Sequence, residues 1–140
     1  MTFNFPALNQ YIRENQHREF AWGTFDCCMF ACDAVLALTD IDPAPQYRNQ
    51  YTTQFGATRM LLDHADGTLE GAFKQVFGPF KSRLNACRGD IVLIEQDNEK
   101  LVGIVNGVSV WTVGKLGLVN VSFSQVLGAW DVTKWAANYG

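Results

Sequence analysis

Histidine is scarce in this sequence: His17 and His64 are the only two among 140 residues. Any mechanism that needs an imidazole base has just these to draw on, and both precede the second half of the chain. Long apolar runs are missing too. No stretch approaches the roughly 20 consecutive apolar residues that a membrane-spanning helix requires. The opening Met1-Thr2-Phe3-Asn4-Phe5-Pro6 has no cationic segment leading into an apolar run, so no secretory signal is expected and synthesis in the cytoplasm is the default. Basic charge is limited as well, with 11 Lys and Arg against 14 Asp and Glu and a formal net charge of −3. Those cations are scattered rather than gathered into a stripe, which argues against nucleic acid as a partner. Internal repeats, low-complexity tracts and linkers are absent.

Apolar residues make up 48% of the chain and charged residues 18%, the opposite of the composition that keeps a chain disordered. A single domain over residues 1–140 is expected, long enough to bury a core without disulfides or metals. Of the four cysteines, Cys27, Cys28 and Cys32 crowd into six residues of one predicted helix, with Cys87 far away. Such crowding does not resemble an extracellular disulfide framework, and all four are expected to be reduced. Cys28 and Cys32 lie four apart on one helical face, but no Cys-x-x-Cys or close histidine pair accompanies them. No metal and no cofactor are expected.

Asn4 ahead of Pro6 marks a helix start, and Phe5, Leu8 and Ile12 give it one apolar stripe, with an end expected near Gln16. Asp26 or Thr24 is placed to cap a second helix carrying Cys27, Phe30, Ala31, Ala34, Val35 and Leu38. That helix is apolar almost all round, so it should be central and buried. The stretch from Thr39 to Gln54 is polar and irregular, and is expected to be a loop. Two short helices follow, at about Ala57 to Ala65 and Leu69 to Phe77. Beyond Cys87, short β-branched runs predict antiparallel strands at Asp90–Glu95, Leu101–Val105, Ser109–Val113, Leu118–Val121 and Ala129–Val132. Helices first and a strand meander afterwards make the expected class α+β.

Cys27 in the first turn of a buried helix meets free N–H groups and the positive end of the macrodipole, which favour a thiolate nucleophile. The neighbouring Asp26 carboxylate opposes this. A plainer role is also open to Cys27: it shares its stripe with Phe30, Ala34 and Val35, as a core residue would. His17 beside Arg18 and Glu19, and His64 between Asp63 and Asp66, have the surroundings of solvated surface histidines. Trp22, Trp111, Trp130 and Trp135 suit either a ligand groove or core and interface packing.

The segment Phe20-Ala21-Trp22-Gly23-Thr24-Phe25-Asp26-Cys27 resembles the nucleophile motif of NlpC-type cysteine peptidases. Arg88-Gly89-Asp90-Ile91-Val92-Leu93-Ile94 is similar to the Gly-Asp start of that family's first core strand, and Leu101-Val102-Gly103-Ile104-Val105 to its second, which normally opens with histidine. The resemblance implies a papain-like fold with a central Cys-bearing helix packed on a five-stranded antiparallel sheet or partial barrel. It implies Cys27 as nucleophile, Thr112 at the polar orienting position, and Trp22 and Asp26 as residues lining the binding site. Leu101 stands at the general-base position, and leucine accepts no proton. Small NlpC-like proteins encoded with bacteriophage tail-tip genes are the nearest likeness. They imply a degenerate structural or assembly protein in the virion tail tip, partnered by tail hub, distal tail or tip proteins. The alternative implied by the same likeness is an active peptidoglycan hydrolase.

Overall fold

The computed structural model describes residues 3–139. Helix α1 spans Phe5–Glu14, with Pro6 in its first turn and the Asn4 side chain accepting the Ala7 N–H. It stops two residues before the expected end, at the Asn15 cap. Helix α2, Cys27–Thr39, is capped by Asp26 and buries Met29, Phe30, Ala31, Val35 and Leu38. Helix α3, Gln54–His64, begins three residues earlier than the apolar pattern suggests, because the Thr53 hydroxyl caps it by accepting the Gly56 N–H. Helix α4 is Leu69–Phe77, with Thr68 as its cap.

The strands are β1 Ile91–Gln96, β2 Glu99–Asn106, β3 Ser109–Gly114, β4 Gly117–Val121 and β5 Val126–Trp130. They form one antiparallel sheet in the order β4-β3-β2-β1-β5. Asp97 and Asn98 both adopt positive φ at the β1–β2 turn, which matches the right-handed twist of the flanking strands. The last strand corrects the sequence expectation of Ala129–Val132. It starts three residues earlier and ends two earlier, and Val132 instead opens helix α5, Val132–Ala137. Asp131 ends the strand by capping that helix, its side chain accepting the Lys134 N–H. Trp135 is consequently on a helix, whereas Trp130 is fully buried in β5.

Both faces of the sheet are apolar. Ile91, Leu93, Val102 and Ile104 pack under α1 and α2 in the main core. Val92, Ile94, Val105, Val110, Val121 and Val126 form a second cluster on the other face. Among the described residues no α-helix contributes a residue to that second cluster, against which Ala86 and Leu101 pack. Only residues 122–125 join β4 to β5, and they include a 3-10 turn at Phe123–Gln125. Edges of a flat five-stranded sheet lie about 19 Å apart, farther than so short and tightly wound a segment reaches, so the sheet must curl.

Two charged networks hold the periphery. Asp33, the one charge inside α2, pairs with Arg48, which also grips Asp42 through Nε at 2.7 Å, and Tyr11 donates its hydroxyl to Asp33 at 3.3 Å. This pins the loop before α3 onto α2. At the opposite end Asp90 is fully buried and accepts from the Cys87 N–H at 2.8 Å and from Lys81 Nζ at 2.9 Å. Burial raises the Asp90 carboxyl and outweighs the lowering by Cys87 and Lys81. This is the usual balance for a buried ion pair, in which desolvation exceeds the attraction but breaking the pair costs more still. Lys81→Met should therefore destabilise the fold by about 3 kcal/mol in urea unfolding, and Asp90→Asn in that background should recover part of the loss. An unchanged midpoint in Lys81→Met would show that the pair carries no structural role.

Candidate functional site

The N-terminus of α2 is set by Gly23. Its φ is +81, and a Cβ there would lie 1.9 Å from the Tyr51 carbonyl oxygen, so a side chain is excluded on two grounds. The turn it allows brings Ala21 into a bridge with Phe25 and delivers Asp26 to the cap position. The buried Asp26 carboxylate then accepts from the Met29 N–H at 2.8 Å, the Gly23 N–H at 3.0 Å and the Tyr51 hydroxyl at 2.5 Å. Burial, and next the bond to Asp26, raise the Tyr51 phenol and keep it a donor. Asp26 borders the cleft described below, but its oxygens are occupied from within.

Cys27, the first residue of α2, is half-buried and opens onto a cleft of about 580 Å3. Trp22 and Phe20 form one wall, meeting edge to face at 4.7 Å. Ala57, Thr58 and Leu61 of α3 form another, and Glu99, Lys100 and Leu101 at the start of β2 close the far side. The backbone N–H groups of Val102 and Cys28 lie beside the Cys27 sulfur and favour its anion. Desolvation still dominates. Burial pushes the thiol up to about 12, with Cys28 and Asp26 adding to the rise against those two N–H groups. The helix terminus alone favours a thiolate, but it is overruled, and Cys27 is a neutral thiol at pH 7.

The strand side of the site is made of backbone. The β2–β3 ladder runs from Asn106 opposite Ser109 to Ile104 opposite Trp111 and goes no further. Past that point Val102 offers its carbonyl to the Thr112 hydroxyl at 2.9 Å, and its N–H lies on the Cys27 side. Thr112 is thus buried and reaches the thiol only through the Val102 residue. Strand alternation also separates neighbours: Val102 faces α2, whereas Leu101 packs toward the second cluster while its residue lines the cleft.

Neither histidine borders the cleft. His17 is exposed in a shallow groove with Trp111 and Leu116, and His64 is exposed with its ring 5.3 Å from that of Tyr47. Cys28 also lines the cleft. A hydrogen bond with Cys32, then burial, hold its thiol well above the ordinary value. Cys87 is exposed elsewhere. Among the described residues no three His, Cys, Asp or Glu side chains converge as a metal site, and no helix is long and apolar enough to cross a membrane.

A family model described as a domain of unknown function, DUF6950, matches residues 5–132. The chain belongs to this family. No curated protein matches it. The DUF6950 span runs from the first residue of α1 to the first of α5 and so takes in every wall of the Cys27 cleft. Two parts of this DUF6950 site escape sequence reading. Tyr51 sits in a segment without periodicity, and its partner Asp26 is 25 residues away. The Val102 peptide carries no side-chain signal at all.

Two tests follow from this geometry. Gly23→Ala should cost at least about 2 kcal/mol in chemical denaturation, since it meets both a positive φ and a backbone clash. Iodoacetamide labelling, followed at each cysteine by mass spectrometry, should modify Cys27 at pH 7 more slowly than exposed Cys87. The Cys27 rate should still be rising above pH 10, where an ordinary thiol has levelled off; a plateau near pH 7 would reverse the assignment.

Proposed function

We propose that this chain is a peptidase-like domain of the NlpC type whose cleft no longer hydrolyses, and that it serves as a structural or assembly component of a bacteriophage tail tip. The observation that carries the loss of hydrolysis is the state of Cys27. Its sulfur is desolvated, with the Asp26 carboxylate rather than a cation beside it and no imidazole on the cleft wall. Acyl transfer by a thiol requires a base to take the proton, or a thiolate already formed. The residue at the strand position where the likeness puts that base is Leu101, and Thr112, at the orienting position, is bound to Val102. The tail-tip assignment rests on the Asp26-Cys27-Cys28 form of the nucleophile segment together with that leucine.

Its partners are then other tail proteins, and the site of action is the virion. A Cys27→Ala virus should assemble and infect at the parental level, with the chain detected by antibody in purified particles. Intact particles that fail to infect would favour the rival reading, a peptidoglycan hydrolase acting through Cys27. Release of muropeptides from purified cell wall by the wild-type chain would decide for that rival outright. Absence of the chain from particles would remove the tail-tip reading altogether.

A further inference from the structure

Between the end of α4 and helix α5 lies a second cavity of about 540 Å3 that shares no lining residue with the first. Its size falls in the roughly 300–1,000 Å3 range of small-ligand sites. Three rings build one side. Trp135 meets Phe77 at 4.7 Å and 65°, and Tyr139 at 5.3 Å and 61°. Neither neighbour lies flat on the indole, and Trp135 is only half-buried, so part of its surface is left to the groove. Tyr139 is 60% exposed.

The polar side is mixed in character. The Asn138 amide donates its N–H to the Lys134 carbonyl at 3.0 Å, and its oxygen has no partner among the described residues. Asp131 uses Oδ1 for the α5 cap, and its Oδ2 stands 3.4 Å from Lys81. Lys134 forms no ion pair among the described residues. Donors and acceptors thus alternate along a rim beside aromatic surface. A phosphate-rich ligand would find one unpaired ammonium next to a carboxylate that repels it. A purely apolar ligand would leave the rim unmatched. A sugar ring presents one C–H face for an aromatic ring and a margin of hydroxyls, each both donor and acceptor, and it satisfies both halves.

We propose that the groove between α4 and α5 is a saccharide-binding site, with Trp135 and Tyr139 as the stacking platform and Asp131, Lys134 and Asn138 contacting hydroxyl groups. This assignment is independent of the chemistry at Cys27 and stands or falls without it.

The test is calorimetric titration of the full chain with maltotetraose, chitotetraose and tetragalacturonate. At least one of the three should bind with a millimolar or tighter Kd. Trp135→Ala and Tyr139→Ala should each weaken it about tenfold, the loss of one stacked ring. Lys134→Ala, at an exposed position safe for folding, should weaken it several-fold with unchanged circular dichroism. No binding by any of the three saccharides would overturn the proposal. So would binding that Tyr139→Ala and Lys134→Ala leave unaltered, or a groove that takes only an aromatic anion such as anilinonaphthalene sulfonate.

Discussion

The Asp26 carboxylate joins three pieces of chain at a single buried group. It takes a hydrogen bond from the turn at Gly23, one from the first turn of α2 and one from Tyr51 in the loop before α3. Hydrogen bonds to a charged group contribute roughly 1.5–3 kcal/mol each, and the partners left behind by its removal are buried donors. Without Asp26 the helix would lose its cap and the loop its buried anchor at Tyr51. The position of Cys27 is a consequence: the residue after an N-cap is the first of the helix, wherever the cap is held.

That position creates a contest at the sulfur between two general effects. Free N–H groups at a helix start stabilise a thiolate, and Val102 contributes a further donor from β2. Against them stand desolvation and the nearby Asp26 and Cys28. Desolvation prevails because no full positive charge answers the anion. In an active cysteine nucleophile that answer is commonly an imidazolium, and both histidines of this chain are exposed outside the cleft. The cleft cation is Lys100, an exposed residue engaged by Glu70 at 3.6 Å.

Much of this was legible in the amino-acid order, for identifiable reasons. The caps at Asn4 and Asp26, the all-round apolar α2 and the β-branched runs of β1 to β4 are local signals, and local physics decides them. The loop at residues 40–53 was opaque because its order comes from distant partners: Arg48 to Asp33, Tyr51 to Asp26, Asn49 to the Gly23 carbonyl. The misplacement of β5 has a related cause. Ala129, Trp130 and Val132 look like one strand by composition, but Asp131 between them is a better helix cap than strand residue. Charge pairs across the molecule, such as Lys81 with Asp90, are invisible to periodicity altogether.

The backbone at Val102 shows why a side-chain inventory understates the site. Where β3 parts from β2, a buried strand residue is left with an unpaired N–H and an unpaired carbonyl, which must find partners. Thr112 supplies the hydroxyl for the carbonyl, and the Cys27 sulfur lies beside the N–H, so both side chains gather at the same strand residue. Their association therefore follows from sheet geometry, and it would hold whether or not any reaction takes place there. A cysteine packed against a strand end has a structural reason to remain at position 27.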